Sequence, residues 1–275
     1  MKGISIYMLI GNREFEINKH TYLMGILNVT PDSFSDGGNY NRLDKALFRV
    51  ENMIKEGMDI LDIGGESTRP GYEKISDEEE IERVVPVIER VKETFDIPVS
   101  LDTYKSKVAL AGIRAGADMI NDIWGLLYDR DMAKVIASSG VSCCLMHNRK
   151  EAVYQKFFED VVEDLKQIVR IAEQEGIKKD KIILDPGVGF AKSYEQNLEV
   201  IRRIEELKGL DYPVLLGVSR KSVIGLTLGL PVEERLSGTL ATSVYGVLKG
   251  CSFLRVHDIK ENKEVVKMME AILNL

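Results

Sequence analysis

The sequence predicts a single (β/α)8 barrel, in which eight parallel strands alternate with helices. The chain has 275 residues, close to the length of about 250 residues that is usual for this fold. Eight short apolar runs alternate with amphipathic segments from residue 22 to the end, as strands covered on both faces require. With no internal repeat or linker, we treat 1–275 as one domain, with a hairpin over 1–20 and a barrel over 21–275.

The elements follow in order along the chain. Runs 4–10 and 14–17 flank Gly11-Asn12 and predict a hairpin, which we expect to cap the barrel bottom. The predicted strands are 22–29, 59–63, 97–101, 118–121, 141–146, 181–184, 213–218 and 252–256. The predicted helices include 43–55, 77–94, 152–175, 195–207 and 233–249. Glycines that we expect to end helices are Gly57, Gly116, Gly140, Gly176 and Gly250.

Two connections are unusually long, 30–41 after the first strand and 65–76 after the second. Loops of this length in a compact domain are usually binding loops. Both follow the carboxyl ends of strands, which form the catalytic face of such barrels. We therefore expect both loops to border the active site.

Composition excludes several classes of function. The net charge of -7 argues against duplex DNA or an anionic membrane as the main partner. No apolar run approaches the ~18 residues of a membrane span, and the apolar N-terminal run is too short for a signal peptide. Three cysteines without a C-x-x-C pair predict reduced core thiols and no zinc. We expect a cytoplasmic protein.

Each predicted strand exit carries a polar or ionisable group. In chain order these are Asn28, Asp62, Asp102, Asn121-Asp122, His147, Asp185, Ser219-Arg220-Lys221-Ser222 and Arg255-Val-His257. A single Asp at such a junction is often a helix N-cap, and a single lysine is often solvated. Eight polar exits together predict a polar ligand site at the barrel mouth.

Two kinds of group suggest a ligand with two different ends. Asp102, Asn121 and Asp185 suit the N–H edge of a flat heterocycle, because a carboxylate accepts two parallel N–H bonds. Arg255 and His257 lie two apart and face the same side of their strand. With Asn28 they suit a phosphate or diphosphate, with Mg2+ as a partner. Arg220 and Lys221 add positive charge nearby.

Several motifs together resemble the dihydropteroate synthase family, which binds pterins. They are GILNVTPDSFSDG at 25–37, DIGGESTRPG at 62–71, SLDT at 100–103, ND at 121–122, LMH at 145–147, LDPGVGF at 184–190, GVSRKS at 217–222 and RVH at 255–257. They span the barrel, so the resemblance is far more specific than one motif. The chain departs from the family after His147, where Asn-Arg-Lys-Glu-Ala-Val replaces the usual Gly- and Pro-containing loop.

The resemblance implies a transferase that joins 6-hydroxymethyl-7,8-dihydropterin diphosphate to 4-aminobenzoate, with Mg2+ as cofactor. It implies catalytic roles for Asp102, Lys221, Arg255 and His257. The implied pterin site comprises Asp102, Asn121, Met146, Asp185, Phe190, Gly217, Lys221 and Arg255. The implied diphosphate site comprises Asn28, Asp62, Thr68, Arg255 and His257, with Asn28 contacting the metal. The implied aminobenzoate pocket comprises Thr30, Asp32, Phe34, Arg69, Pro70 and Ser222.

The family further implies a homodimer and a sulfonamide target, and chemistry through a carbocation-like transition state. Two alternatives stay open at this point. A pterin-binding methyltransferase shares the barrel but moves a methyl group to cobalamin; Arg255, His257, Arg220 and Lys221 favour a diphosphate ligand instead. A silent pterin-binding or scaffolding protein would have lost mouth residues, and none of the matched positions is lost.

Overall fold

A computed structural model describes residues 6–30, 39–66 and 74–274 of the chain. The N-terminal hairpin consists of β1 (Ile6–Ile10) and β2 (Arg13–Ile17), paired antiparallel from Ile6 with Ile17 to Ile10 with Arg13. The predicted hairpin is therefore confirmed over its described residues.

Eight parallel strands form the barrel. They are β3 (Tyr22–Asn28), β4 (Ile60–Gly64), β5 (Val99–Asp102), β6 (Met119–Asp122), β7 (Ser142–Met146), β8 (Ile182–Asp185), β9 (Leu215–Leu216) and β10 (Phe253–Val256). Their order is β8-β7-β6-β5-β4-β3-β10-β9. A parallel bridge between Leu184 and Val214 joins β8 to the segment before β9, which closes the barrel. All eight predicted strands are present.

The described residues contain nine α-helices around this barrel. They are α1 (Asn39–Lys55), α2 (Asp77–Thr94), α3 (Ser106–Arg114), α4 (Met132–Ser139), α5 (Phe157–Gln174), α6 (Tyr194–Arg202), α7 (Ser222–Leu228), α8 (Leu236–Leu248) and α9 (Ile259–Leu273). Each of the five glycines predicted to end a helix follows one. Gly140, for example, takes φ of 69° and donates its N–H to Ile136 O at 2.9 Å, closing α4.

The hairpin packs against the inner side chains at the amino ends of the strands. Its Met8, Ile10, Phe15 and Ile17 are buried in one cluster with residues from seven barrel strands. Those barrel residues are Met24, Ile60, Met119, Cys144, Ile183, Leu215 and Phe253. The Ser142 hydroxyl also donates to Leu9 O at 3.0 Å. The hairpin thus caps the bottom of the barrel, as predicted.

Side chains along a strand alternate between the barrel interior and the surrounding helices. Leu23, Leu61, Leu101 and Leu145, for example, belong to the outer core shared with the helices. Their neighbours in sequence face inward, so the interior changes from apolar at the bottom to polar at the carboxyl ends. The three cysteines are free and buried, as expected. Within residues 6–30, 39–66 and 74–274, no helix is long and apolar enough to cross a membrane.

Candidate active site

A buried cluster of charges occupies the centre of the mouth. Arg255 donates from Nε to Asp62 Oδ2 at 2.6 Å and from Nη2 to Asp102 Oδ2 at 2.6 Å. Asn121 donates to Asp62 Oδ2 at 3.2 Å. Burial raises the pKa of Asp102, although Arg255 opposes the rise. Three strands that are distant in sequence thus fix one guanidinium between two carboxylates.

This cluster leaves acceptor atoms unused. Asp62 Oδ1 and Asp102 Oδ1 are buried and have no hydrogen-bond partner among the described residues, and the same holds for the hydroxyl of Ser100. A buried polar atom without a partner costs about 1–3 kcal/mol, and more when it is charged. Such atoms at an open mouth are what a ligand with N–H donors would satisfy.

A second charged pair lies across the mouth. Asp185 Oδ1 accepts from Gly187 N at 2.7 Å, and Lys221 Nζ donates to Val188 O at 2.6 Å. Burial lowers the pKa of Lys221 to about 8, although Asp185 opposes the fall. A Cβ atom on Gly217 would lie 3.6 Å from Asp185 Oδ2 and 3.8 Å from Lys221 Nζ. A larger residue at position 217 would therefore fill the space beside the Asp185 carboxylate and the Lys221 ammonium.

Apolar side chains form a wall beside these charges. Met146 is buried in a cluster with Tyr104 and Ile123, against which Trp124 and Phe190 pack. Lys221 Nζ lies 4.9 Å from the centroid of the Phe190 ring. Charged acceptors beside a flat apolar wall suit a planar heterocycle that carries N–H groups.

His257 and Asn28 lie at two other exits of the mouth. His257 Nδ1 lies 3.0 Å from the hydroxyl of Ser219, and its carbonyl accepts from Arg49 at 2.9 Å. Asn28 is exposed at the end of β3. A Cβ atom on Gly64 would lie 3.6 Å from Asp102 Cβ and 3.7 Å from Asn28 Oδ1, so Gly64 lets these side chains converge.

The expectation that every exit lines the mouth is wrong at two positions. His147 follows the inward Met146, so its fully buried ring faces outward and bonds Asp164 at 3.0 Å. Asp122 follows the inward Asn121. Its carboxylate caps its own loop by accepting from Trp124 N at 2.8 Å and Leu126 N at 2.7 Å. Asp122 therefore stabilises a turn in its own loop and is not a helix N-cap, since α4 begins at Met132.

Arg220 also differs from the expectation. Its guanidinium donates to both oxygens of Asp258, at 2.9 and 2.6 Å, so its charge is neutralised by that partner. Lys221 is not a solvated lysine, because its ammonium bonds Val188 O. Lys221 therefore supplies the positive charge of this loop to the mouth.

The predicted aminobenzoate pocket is described in part. Asp32, Phe34, Arg69 and Pro70 lie outside the described residues, and so does Thr68 of the predicted diphosphate site. Thr30 is partly buried at the edge of the first long loop, and Ser222 is exposed at the start of α7. The divergent fifth loop is anchored by Arg149, which bonds Asp164 at 2.6 Å and lies 4.3 Å from the Tyr154 ring centroid.

Sequence reasoning missed a buried ionic cluster beside the second long loop. Lys105 Nζ lies 2.7 Å from Glu66 and 2.8 Å from Glu80, and it donates to Ile75 O at 2.8 Å. The hydroxyl of Tyr104 donates to Glu66 Oε1 at 2.5 Å. These contacts hold both ends of the segment between Glu66 and Ile75. The signal was present, since Glu66 lies within the second motif and Tyr104-Lys105 directly follows the third.

No group of three or more His, Cys, Asp or Glu side chains that could hold a metal ion occurs in the part of the chain that the structure describes.

The chain is similar to several known proteins. A family model described as "Pterin binding enzyme" matches residues 24–257. A dihydropteroate synthase from Clostridium beijerinckii is 59% identical over 267 residues, covering 97% of this chain and 99% of the relative. A solved dihydropteroate synthase from Clostridium difficile, in the presence of pteroic acid, has a TM-score of 0.92 and 50% identity, covering 94% of this chain and 98% of its own. One from Xanthomonas albilineans, with 4-aminobenzoic acid, has a TM-score of 0.94 and 37% identity, covering 99% and 100%.

Proposed function

This chain belongs to the dihydropteroate synthases of the pterin binding enzyme family, and from that premise we propose which residues carry the reaction. The enzyme is a transferase that condenses 6-hydroxymethyl-7,8-dihydropterin diphosphate with 4-aminobenzoate. The products are 7,8-dihydropteroate and diphosphate. The observation that best connects this activity to the residues is the pair of partnerless carboxylate oxygens beside Arg255.

The pterin ring is assigned to the wall between Asp102 and Asp185. Asp102 Oδ1 lacks a donor, and Asp185 Oδ2 lies near the position that a Cβ on Gly217 would fill. Both oxygens accept hydrogen bonds, and a pterin edge presents several N–H groups. Met146 and Phe190 flank the ring, while Asn121 and Lys221 bond its remaining polar atoms. The guanidinium of Arg255, on β10, stacks over the face of the ring that Met146 does not cover.

The diphosphate is assigned to the side of Arg255, His257 and Asn28. The contacts of Arg255 with Asp62 and Asp102 use Nε and Nη2, and a guanidinium has five N–H donors. Further donors can therefore meet a phosphate while the two carboxylates hold the group in place. Asp62 contributes by orienting Arg255. Thr68 is included in the proposed diphosphate site on the basis of the family resemblance alone.

The weak nucleophilicity of an aryl amine decides the mechanism. The bond between the pterin methylene carbon and the diphosphate oxygen breaks first, and its electron pair leaves with diphosphate. The Asp102 carboxylate stabilises positive charge that develops at that carbon, while Arg255 and His257 stabilise the departing anion. The amine nitrogen then bonds to the carbon and loses its proton to solvent. No strong general base is required.

Mg2+ is proposed as the cofactor, with Asn28 as the protein ligand. The amide oxygen of Asn28 is a hard donor exposed at the mouth, and Mg2+ is usually bound by few protein oxygens together with substrate phosphates. When bound, the ion would neutralise charge on the departing diphosphate. Asn28→Ala should raise the Mg2+ concentration needed for half-maximal diphosphate binding, measured by calorimetry without turnover. An unchanged Mg2+ requirement would contradict the assignment.

The aminobenzoate is proposed to lie above the pterin, between the two long loops. Ser222 and Thr30 are the described members of this pocket, and Asp32, Phe34, Arg69 and Pro70 are proposed from the resemblance. We expect sulfonamides to compete for the same pocket. Competition kinetics against 4-aminobenzoate test this, and a noncompetitive pattern would contradict it.

A turnover assay separates the proposed activity from the methyltransferase alternative. Purified protein is mixed with the pterin diphosphate, Mg2+ and 4-aminobenzoate, and dihydropteroate and diphosphate are measured. We expect both products in equal amounts, and none without 4-aminobenzoate. Methyl transfer from a methylated pterin to cobalamin, without condensation, would favour the alternative.

A homodimer is proposed through the last three helices. The 13 residues of α8 include no charged side chain, and exposed apolar residues lie on α7, α8 and α9. These are Leu226, Leu228, Leu248, Met268 and Ile272. Light scattering should give twice the chain mass, and Leu248→Asp should give the monomer mass. A monomeric unaltered protein would contradict the proposal.

A cytoplasmic location is also proposed, on the ground that all three thiols are free and buried. Cell fractionation tests it, and recovery of the enzyme outside the cytoplasmic fraction would contradict it.

A further inference from the structure

A partly buried lysine lies behind the pterin wall, outside the set of residues assigned to substrate. Lys192 Nζ lies 2.8 Å from His147 Nδ1, 3.0 Å from Gly187 O and 3.1 Å from Phe190 O. These three acceptors come from the exit of β7 and from the loop between β8 and α6. The amino group of Lys192 therefore joins the loop that follows Met146 at the end of β7 to the loop that follows Asp185 at the end of β8.

The hydrogen-bond network fixes the tautomer of His147. Asp164 can only accept from His147 Nε2 at 3.0 Å, so the ring proton lies on Nε2. Burial lowers the pKa of His147 to about 4, which keeps the ring neutral and leaves Nδ1 as an acceptor. Lys192 must then donate to Nδ1 and to both carbonyls. Burial lowers the pKa of Lys192 to about 7, and in its charged form the lysine has three N–H donors for these three acceptors.

The two carbonyls belong to residues that hold the proposed pterin contacts. Gly187 donates its own N–H to Asp185 Oδ1 at 2.7 Å, which orients that carboxylate. Phe190 places its ring under Lys221 and beside Met146. A Cβ on Gly187 would lie 2.0 Å from His147 O, so the two loops meet with no space for a side chain. A shift of either carbonyl would move Asp185 or Phe190.

We propose that Lys192 is a positioning residue for pterin, which orients Asp185 and Phe190 through the carbonyls of Gly187 and Phe190. Neutral His147, held by Asp164 on α5, fixes the lysine in turn. Arg149 bonds the same Asp164 oxygen at 2.6 Å, which ties the divergent fifth loop to this network. The inference rests on the proposed assignment of Asp185 and Phe190 to the pterin.

The direct test compares Lys192→Met with a matched control in the same region. Lys192→Met keeps the aliphatic stem and removes all three hydrogen bonds. Tyr154→Phe removes a neighbouring bond to the same loop, from the Tyr154 hydroxyl to Ala191 O at 2.9 Å, without touching Gly187 or Phe190. Calorimetry with 6-hydroxymethylpterin should show affinity about tenfold weaker in Lys192→Met and nearly unchanged in Tyr154→Phe. Equal affinities in the two variants would overturn the inference.

Kinetics distinguish positioning from general loss of structure. In Lys192→Met the KM for the pterin diphosphate should rise more than kcat falls, and the KM for 4-aminobenzoate should change little. Lys192→Arg, which retains donors, should restore part of the pterin affinity. A uniform fall in active enzyme, with both KM values unchanged, would contradict a positioning role.

A double-mutant cycle identifies the path and separates this inference from the proposed function. If Lys192 acts through Asp185, Lys192→Met should weaken pterin binding less in an Asp185→Asn background than in the unaltered protein. If the effects of the two substitutions on pterin affinity are fully additive, Lys192 does not act through Asp185. If Asp185→Asn alone has no effect, the pterin assignment itself is wrong. If Asp185→Asn weakens binding and Lys192→Met does not, only the positioning role is wrong.

A second variant covers the case in which Lys192→Met does not fold. Asp164→Ala acts on the partly exposed helix α5 and releases His147 without removing the lysine. It should weaken pterin binding measurably, by less than the tenfold expected at Lys192. Unchanged pterin affinity in folded Asp164→Ala would contradict the role of the His147–Asp164 pair.

Discussion

At the scale of single residues, Asp185 offers the sharpest prediction. Its Oδ1 accepts from Gly187 N, and an asparagine oxygen can keep that bond. The amide nitrogen of Asp185→Asn would then replace Oδ2 with a donor, where the proposed pterin N–H groups need an acceptor. Losing one partner of a buried charged pairing costs ~2–5 kcal/mol, so pterin affinity should fall at least about tenfold.

Calorimetry with 6-hydroxymethylpterin measures this change, with Asp211→Asn as a control. Asp211 is exposed and pairs with Lys179 at the surface, so its substitution should leave pterin affinity unchanged. Near-normal affinity in folded Asp185→Asn would remove Asp185 from the pterin site.

Residue types at strand exits were predictable, but their orientation was predictable only in part. Asn121, Asp185 and Arg255 face inward, because each lies in phase with an apolar interior residue lower on its strand. Asp102 lies in phase with the buried Ser100. His147 was predicted to face the mouth because the sequence located the end of its strand but did not show which of the last residues, Met146 or His147, points inward. Lys192 was missed because its partner His147 lies 45 positions away in sequence, and no local pattern reports such contacts.

At the scale of elements, the loop after β9 holds a strained residue. Arg220 has φ of 55°, in the left-handed region. Its N–H donates to the Thr239 hydroxyl at 3.0 Å, and its carbonyl accepts from Arg235 at 3.0 Å. Arg220→Gly and Arg220→Ala both lose the ion pair to Asp258, but only alanine retains the backbone strain. We expect the alanine variant to be less stable by about 1 kcal/mol.

Urea unfolding of the two Arg220 variants measures this difference. Equal stability of the alanine and glycine variants would exclude backbone strain at Arg220.

The link between β7 and α5 should be sensitive to acid. The pKa of His147 is lowered by burial to about 4 from an ordinary 6.5, so the unfolded chain binds the proton first as pH falls. The stabilising contribution is therefore complete above about pH 6.5 and is lost progressively toward pH 4. The loss should reach roughly 3 kcal/mol.

The measurement is the free energy of unfolding at pH 7 and pH 5 for the unaltered protein and His147→Gln. The variant should lose less stability between these values, since other acidic groups are common to both proteins. An identical loss in both would exclude His147 as the source.

The sequence predicted which helices and strands are present better than it predicted where each one begins and ends. Helix α2 matches its prediction from Asp77 to Thr94, because Ser76 caps it by accepting from Glu79 N at 3.1 Å. Strand β9 is shorter than predicted, since a turn from Lys221 N to Val218 O begins soon after it. Helix α5 begins at Phe157 rather than at 152, because Arg149 and Tyr154 hold the preceding residues in the fifth loop.

At the scale of the whole molecule, strand order explains why the site could be anticipated from motifs. The parallel register sets Gly64 beside Asp102 and Asp102 beside Asn121. Closure through Leu184 and Val214 then brings β8 to β9 and completes the ring. Motifs separated by up to 193 positions, such as Asp62 and Arg255, meet in one cluster. The sequence could not specify these contacts, but the barrel topology required them.

Substrate binding should be ordered across the molecule. Asn28 lies two positions before the first long loop in sequence, and the proposed diphosphate contacts lie on the same side of the mouth. We expect 4-aminobenzoate to bind weakly to the free enzyme and more tightly once pyrophosphate, Mg2+ and pterin are present, because these ligands complete the mouth beside the proposed aminobenzoate pocket. Calorimetry that gives equal 4-aminobenzoate affinity with and without them would exclude the ordering.

The most direct test of the site assignment is a crystal structure with the pterin diphosphate and Mg2+ bound. We expect the pterin N–H edge within hydrogen-bond distance of Asp185 and Asn121, with its ring between Met146 and Arg255. The diphosphate should contact Arg255 and His257, and Asn28 should contact the metal. The site assignment would be contradicted by a pterin whose N–H edge points away from Asp185 and Asn121. It would also be contradicted by a diphosphate bound beside Asp185 and Lys221.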